Sequence, residues 1–296
     1  MTDYEIFSDG ACDLPLDQVE KLGAHTIPFY VSLNQKDYHK ELVDLSSEAF
    51  YEDLVEKNGF PKTSLPSVQD YIDAFKPVLE AGKNLICLTI THTLSGSIQS
   101  AANAAMILSE QFPHAKIYAM DSFHATGSQQ LMLLEALRMK QAGKTFDQVV
   151  KYLEQAKNDG RIFFMIQSLT HLQKGGRIGK LASLSTSILK IKPLIALSGG
   201  EISVAGIAHT RKGGIKKLAE ITADHFQKTK EKPQDYRFLI GTTNTWDEVP
   251  VLEEAICNAV PDIQEISSFQ IGATIASHTG PGTLGVCCMK RCEAYE

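Results

Sequence analysis

The 296-residue chain lacks the features that mark several specialised classes of protein. It contains no run of 18 apolar residues, so no segment is long enough to form a transmembrane helix. Its 29 basic residues are outnumbered by 35 acidic ones, which disfavours a strongly cationic nucleic-acid binder. The first residues include Asp3 and Glu5 and lack the apolar stretch of a signal peptide. We therefore expect a cytoplasmic protein with at most transient membrane contact.

Motifs for self-sufficient catalysis are also missing. There is no G-x-S-x-G nucleophile elbow. Gly179-Lys180 does not end a P-loop, because Lys174 stands at the first glycine position and Leu181 at the hydroxyl position. Residues 280–285 match G-x-G-x-x-G, but a short β-like run follows them where a dinucleotide site needs a helix. We expect no nucleotide or metal cofactor, and a serine hydrolase assembled from distant residues stays open as an alternative.

Cysteine use points to an intracellular protein without a disulfide framework. The six cysteines are scattered except at the C-terminal end, which predicts free thiols in a reducing compartment. Cys288-x-x-x-Cys292 lacks a second cysteine pair or a nearby histidine at zinc-finger spacing. The cysteines therefore give no support to a metal site.

The pattern of apolar residues predicts an α/β fold, because short apolar runs alternate with helical periodicity. Residues 1–158 are expected to form an N-terminal three-layer domain with a parallel sheet. Its predicted strands are 4–7, 26–33, 85–90 and 116–120, and its predicted helices include 14–22, 97–112 and 129–141. Ser67-x-x-Asp70 and Thr145-x-x-Gln148 predict capping boxes that open two further helices.

Residues 159–296 are expected to form a second α/β domain with a mixed or antiparallel sheet. Its predicted strands are 161–166, 193–208, 237–241, 263–271 and 284–289, and its predicted helices are 214–228 and 247–260. The strand region 193–208 is divided by Ser198-Gly199-Gly200, a composition that favours a hairpin turn.

Hydroxyl-rich segments flanked by glycine follow several predicted strands, where open α/β sheets place ligands. They are Ser8-Asp9-Gly10, the loop Thr63-Ser64-Leu65-Pro66-Ser67, the connection Thr91-His92-Thr93-Leu94-Ser95-Gly96-Ser97 and the loop His278-Thr279-Gly280-Pro281-Gly282. Together they indicate an anchor for a small anion, with no evident base or nucleophile. Each also has a purely structural interpretation, with Ser67 and Ser95 as helix caps, Asp9 as a turn former and His278 as a loop histidine.

At these segments the sequence resembles the DegV family of bacterial fatty-acid-binding proteins. The matching motifs occur in the family's order along the whole chain: Ser8-Asp9-Gly10-Ala11-Cys12-Asp13-Leu14-Pro15, Thr63-Ser64-Leu65-Pro66-Ser67, Leu94-Ser95-Gly96-Ser97, Lys174-Gly175-Gly176-Arg177-Ile178 and His278-Thr279-Gly280-Pro281-Gly282-Thr283-Leu284-Gly285. The sequence departs from the family pattern where Gly10 replaces a serine, Leu65 a glutamine, and Ser97-Ile98 a Thr-Tyr pair.

The resemblance implies a two-domain DegV-like fold that holds a long-chain fatty acid between or within its domains. The carboxylate would contact Thr63 or Ser64, Ser95 and His278, with Arg177 close by. A fatty acid kinase would be the partner that phosphorylates this carboxylate, which makes the chain a binding subunit and not an enzyme. Arg177 and Arg211, with neighbouring lysines, would dock that partner or steady the phosphate. The apolar runs 163–166 and 188–197 are candidates for the tunnel wall.

Overall fold

The computed structural model describes residues 4–184 and 191–295, apart from the side chains of residues 183 and 184. Its α-helices are α1 (Leu16–Leu22), α2 (Ser47–Tyr51), α3 (Val68–Glu80), α4 (Ser97–Gln111), α5 (Thr126–Gln141), α6 (Phe146–Ala156), α7 (Thr170–Lys174), α8 (Arg211–Thr229), α9 (Val249–Ala259) and α10 (Ala273–Thr279). Its strands are β1 (Tyr4–Asp9), β2 (His25–Ile27), β3 (Tyr30–Ser32), β4 (His39–Lys40), β5 (Lys62–Ser64), β6 (Asn84–Thr89), β7 (Ile117–Asp121), β8 (Arg161–Met165), β9 (Lys192–Ser198), β10 (Glu201–Ala208), β11 (Tyr236–Thr242), β12 (Ile266–Gln270) and β13 (Leu284–Lys290).

The N-terminal part of the chain contains a four-stranded parallel sheet, with the strands in the order β2-β1-β6-β7. The last five residues of β6 are all buried, because helices α3, α4 and α6 contact this strand. A strand covered on both faces is typical of parallel sheets in α/β proteins. The predicted parallel sheet is therefore confirmed.

The C-terminal part contains a six-stranded mixed sheet, in the order β10-β9-β8-β13-β11-β12. Only the β11–β12 pair is parallel, and the other neighbours are antiparallel. The predicted hairpin joins β9 to β10 through Gly199 and Gly200, whose φ angles are 57° and 82°. These angles favour glycine and match the twist of a tight hairpin. The α/β class with a second, mixed sheet is confirmed.

The prediction of one strand over residues 26–33 is wrong. The segment forms two short strands that belong to different sheets: β2 pairs with β1, whereas β3 lies between β4 and β5 in a small antiparallel sheet. Pro28 lies between them and has no N–H to donate to a sheet. The chain therefore leaves the parallel sheet after Ile27 and enters the small sheet at Tyr30.

Local signals at helix starts were reliable. Ser67 and Thr145 each accept a hydrogen bond from the backbone N–H three residues on, and the side chains of Asp70 and Gln148 complete both capping boxes. The five-residue helix α7 was missed, since it lies between the predicted strands 161–166 and 193–208, where no helix was predicted.

The hydrophobic core is continuous across the two sheet systems. The largest buried cluster includes Ile6 and Ile86 from the parallel sheet together with Ile195 and Cys287 from the mixed sheet. Strands of the parallel sheet end at Asp121, and those of the mixed sheet begin at Arg161. The division into domains at residue 158 stays a prediction. Among the helices described, none has the length and apolar character needed to cross a membrane.

Candidate functional site

A cavity lies where the small sheet, helix α10 and the mixed sheet meet. The atom-free space in this cavity, including the part that is open to solvent, is about 940 Å³. Most of its wall is apolar: Phe29, Leu65, Ile90, Leu94, Ala125, Ile162, Phe164, Leu172, Leu197, Ile202, Gly241, Phe269, Ile271, Ile275, Gly285 and Cys287. Its polar lining residues are Thr63, Ser95, Thr126, Arg177, Thr274, His278, Thr279 and Thr283.

Four of these polar residues are Thr63, Ser95, Arg177 and His278, and we call them the polar end of the cavity. Thr63 lies on β5, and its Oγ1 is 2.8 Å from Nε2 of His278 in the last turn of α10. Arg177 follows α7 and donates from Nε to the carbonyl oxygen of Leu94 at 3.1 Å. Leu94 immediately precedes Ser95. The polar end thus collects hydrogen-bonding groups and one cation from four separate segments.

The threonines elsewhere in the wall use their hydroxyls within the protein. Thr126 Oγ1 donates to Asp13 Oδ2 at 2.5 Å, and Thr274 Oγ1 donates to Glu41. Thr283 Oγ1 donates to the Gly280 carbonyl at 2.9 Å. With these hydroxyls already bonded, the threonines add little polarity to the cavity away from the polar end.

His278 is held in its neutral form. Burial, with Arg177 and His171 nearby, lowers the pKa of His278 to about 4. A buried imidazole loses hydration when it is charged, and an adjacent guanidinium opposes that charge further. At neutral pH the ring therefore has one N–H and one bare nitrogen. Nε2 faces Thr63, whereas Nδ1 is buried without a hydrogen-bond partner in the part of the chain that is described.

The structure does not bring all of the sequence-predicted site residues together. Ser64 neighbours Thr63 on β5 but is exposed and is not among the lining residues, because successive strand residues point to opposite faces. Arg211 begins α8 and is not among the lining residues either. Its guanidinium binds the Glu248 carboxylate and donates to the Gly282 carbonyl at 2.6 Å.

His278 was expected on a loop, and that expectation is wrong. It lies in α10, whose seven residues are mostly small and form no long periodic pattern. Thr274, Ile275 and His278 line the cavity from one face of α10, and Ile271, just before the helix, lines it too. That spacing was visible in the sequence, but the segment is too short for periodicity alone to establish a helix.

Asp9 supports the loop that carries Ser95, a role that the sequence analysis missed. It is fully buried and accepts hydrogen bonds from the backbone N–H of Ile90 at 2.9 Å, from Ser97 Oγ at 2.7 Å and from Gln129 Nε2 at 2.8 Å. Burial raises the pKa of Asp9 to about 6 in spite of these donors. Ser95 Oγ accepts from the N–H of Ser97 at 3.3 Å, so Ser95 also stabilises the start of α4.

Only some of the described residues in the two apolar runs predicted to line the tunnel, 163–166 and 188–197, line the cavity. Phe164 and Leu197 line the cavity, whereas Phe163 belongs to the separate core beneath α8. Ile188 and Leu189 lie outside the described residues.

The serine-hydrolase alternative gains no geometric support. Within residues 4–184 and 191–295, Ser95 makes no hydrogen bond to a histidine, and His278 is paired with Thr63 instead. An activated serine nucleophile needs a base within hydrogen-bond reach.

A mostly apolar cavity that also presents a group of hydrogen-bonding side chains and a cation is the arrangement expected for binding a molecule with an apolar body and a polar terminus. The model of a family described as uncharacterised DegV-family proteins matches residues 3–291. The chain belongs to the DegV family.

Curated relatives match over nearly their full length. A DegV domain-containing protein of Clostridium perfringens is 31% identical over 288 residues, covering 97% of each chain. The DegV protein of Bacillus subtilis is 26% identical over 287 residues, covering 96% of this chain and 99% of the relative.

Solved structures show the same fold. A stearic acid-binding protein from Eubacterium ventriosum is 31% identical, with a TM-score of 0.91 over 98% of this chain and 99% of that one. A fatty-acid-binding DegV family protein from Thermus thermophilus is 28% identical, with a TM-score of 0.86 over 98% of this chain and 100% of that one. The two-sheet architecture is therefore that of DegV-family structures.

Proposed function

We propose that this protein binds a long-chain fatty acid, with the acyl tail in the cavity and the carboxylate at the polar end. The observation that carries the proposal is the division of the cavity wall. Its polar end holds Thr63, Ser95, Arg177 and His278, and most of the remaining wall is apolar. The fatty acids bound by the related proteins of E. ventriosum and T. thermophilus support the same ligand class.

The tail supplies most of the binding free energy in this proposal. Each buried methylene contributes about 0.8 kcal/mol, so the roughly fourteen methylenes of palmitate contribute about 11 kcal/mol before ordering costs. Hydrogen bonds to the carboxylate, at about 1.5–3 kcal/mol each, chiefly offset its loss of hydration. The polar end therefore sets the orientation of the ligand more than its affinity.

We further propose that the bound carboxylate is presented to a partner kinase that converts it to an acyl phosphate. A second pocket, which we call the groove, adjoins the cavity and shares Leu94, Arg177 and Ile202 with it. Gly176, Gly179 and Lys180 also line this groove, which gives a second protein a route to the head group. Two of the lysines near Arg177 and Arg211 are already paired with a carboxylate. Lys180 pairs with Glu201, and Lys217 pairs with Glu220.

Native mass spectrometry before and after delipidation tests the binding proposal. The purified protein should carry an acyl-sized mass, and the delipidated protein should take up one equivalent of palmitate or oleate. An Ile275→Trp variant, which places an indole in the cavity wall, should fold and lose this uptake. Failure of delipidated wild-type protein to bind either acid would overturn the proposal.

A reconstituted reaction tests presentation to a kinase. With a fatty acid kinase and ATP, loaded wild-type protein should yield acyl phosphate, and Ser95→Ala or His278→Ala should reduce the yield. The hydrolase alternative makes the opposite prediction, since the isolated protein would then cleave p-nitrophenyl esters and Ser95→Ala would abolish that cleavage.

A further inference from the structure

Helices α7 and α10 each carry a histidine that lies against the glycine at the C-terminal end of the other helix. Gly175 immediately follows α7, and a Cβ atom on it would lie 2.1 Å from Nδ1 of His278. Gly280 immediately follows α10, and a Cβ atom on it would lie 2.5 Å from Nδ1 of His171. Each helix thus ends in a glycine that accommodates the imidazole of the other helix. Both distances are far below van der Waals contact, so neither site has room for a side chain.

The two glycines are required for different reasons. Gly280 has a φ of 77°, a conformation that disfavours any other residue irrespective of the histidine. Gly175 has a φ of −79° and a ψ of −9°, an ordinary right-handed conformation that alanine adopts readily. At Gly175 only the space occupied by the His278 ring and the nearby His171 carbonyl demands glycine.

His171 also holds the segment that leads to Thr63. Its imidazole stacks on the Phe60 ring, with ring centroids 4.7 Å apart and planes 26° apart. The Lys174 ammonium, one helical turn along α7, lies 3.1 Å from the centroid of the same ring. Phe60 is three residues before Thr63. His171 therefore contacts both the segment that precedes β5 and the C-terminal end of α10.

The same helix end locates Arg177. The Gly175 carbonyl accepts a hydrogen bond from Arg177 Nη1 at 2.7 Å, and the N–H of Arg177 donates to the Leu172 carbonyl at 2.9 Å. A shift of α7 relative to α10 would therefore move Arg177 and separate His278 from Thr63. His171 itself is not among the described residues that line the cavity, so any effect it has on a ligand passes through other side chains.

We infer that His171 is a positioning residue for the ligand carboxylate, which it serves by fixing α7 and the Phe60 segment against α10 so that Thr63, His278 and Arg177 converge. This inference rests on the proposed fatty-acid binding. Disruption of the α7–α10 contact should therefore weaken the binding of a carboxylate more than the binding of an uncharged head group.

Two ligands with the same tail separate positioning of the head group from any effect on the tunnel. Binding of palmitate and of hexadecanol is measured for wild-type protein and for His171→Ala, His171→Phe and Gly175→Ala. His171→Ala removes the stacked ring, and Gly175→Ala pushes the His278 ring away from Thr63. Both should weaken palmitate binding about tenfold and hexadecanol binding no more than threefold. His171→Phe keeps a flat ring on Phe60 and should restore palmitate binding to within about threefold of wild type.

Gly206→Ala is the matched control, because its Cβ would come no closer than 3.6 Å to Ile221 and its backbone is not left-handed. It should leave the binding of both ligands within twofold of wild type. Equal losses for palmitate and hexadecanol, or no loss in His171→Ala, would overturn the positioning role while leaving fatty-acid binding intact. Wild-type protein that binds neither ligand would overturn the proposed function itself. If Gly175→Ala fails to fold, the comparison of His171→Ala with His171→Phe decides.

Discussion

The Oγ1 atom of Thr63 lies 2.8 Å from Nε2 of His278, although 215 residues separate the two positions. One residue comes from a three-residue strand and the other from the last turn of a seven-residue helix. Neither element is long enough to be stable alone, so tertiary packing creates the contact. The polar end is consequently assembled only when the small sheet and α10 are both in place.

Thr63→Val should weaken palmitate binding. Valine keeps the shape of threonine but removes the hydroxyl that contacts His278, so a buried nitrogen loses its partner. We expect a loss of about 1–2 kcal/mol, or roughly 5- to 30-fold in Kd, measured by calorimetric titration of delipidated protein. Ser64→Ala alters the adjacent but exposed side chain and should change nothing. Equal effects of the two substitutions would contradict this placement of the head group.

The free energy of unfolding should depend on pH because burial lowers the pKa of His278. Its pKa is lowered to about 4 in the folded protein, against an ordinary value of 6.5 when unfolded. Between these values the unfolded chain binds more protons, so this histidine lowers the free energy of unfolding as the pH falls from 6.5 towards 4. Above pH 6.5 it has no such effect.

Urea denaturation of wild-type protein and His278→Gln at pH 7.5, 6 and 5 measures this contribution. The variant should gain stability relative to wild type as the pH falls, by at most about 1.4 kcal/mol per pH unit. Parallel curves for wild type and His278→Gln would show that the ring is not held neutral.

The sequence was most informative where a structure depends on neighbouring residues. The capping boxes at Ser67 and Thr145 and the Gly199-Gly200 turn are local, and all three were predicted. The small sheet and α7 were missed because elements of two to five residues carry too little periodicity to be recognised.

The candidate site shows the same limit. Thr63, Ser95, Arg177 and His278 were chosen from motifs and line one cavity. Ser64 could not be separated from Thr63 without knowing that the segment is a strand, which turns the two side chains in opposite directions. The apolar wall draws one or two residues from each of many elements, so the apolar runs in the sequence identify only a few of them, such as Phe164 and Leu197.

Asp13 and Glu41 should respond differently to replacement by the matching amide. Both are buried, and a Cβ on Gly272 would lie 2.5 Å from Asp13 Oδ1 and 2.7 Å from Glu41 Oε1. Burial, reinforced by the Glu41 carboxylate, holds the pKa of Asp13 well above its usual range. Glu41 accepts hydrogen bonds from the N–H and the hydroxyl of Thr274.

Asp13→Asn keeps the shape of the side chain and removes a carboxyl group whose charge is disfavoured by burial and by Glu41. Asparagine tolerates the left-handed φ of 55° at this position. We expect a change of less than about 1 kcal/mol in the free energy of unfolding at pH 7. Glu41→Gln replaces one acceptor oxygen with an N–H₂ group that would face the N–H or the hydroxyl of Thr274, and it should cost about 1–3 kcal/mol. Urea denaturation measures both costs, and a larger cost for Asp13→Asn than for Glu41→Gln would contradict this prediction.

Phe269 should limit the length of the acyl chain. Its ring fills space over two glycines, since a Cβ on Gly127 or Gly241 would lie 2.6 or 2.7 Å from ring carbons. Phe269 lines the cavity from β12, whereas His278 of the polar end lies in the last turn of α10. We expect the Phe269 ring to lie near the end of the acyl tail. Phe269→Ala should therefore open space beyond the tail and shift preference towards longer acids.

Competition among equimolar C14 to C20 saturated acids, read by native mass spectrometry, measures the chain-length preference. Phe269→Ala should move the most abundant complex by about two to four carbons, because each added methylene contributes about 0.8 kcal/mol once it can be buried. Phe226→Ala is the matched control, since it removes an equal ring from the separate core beneath α8. Both substitutions should cost about 3–5 kcal/mol of stability, but only the first should change the preference. An unchanged distribution in Phe269→Ala would mean that the tail ends before it reaches this ring.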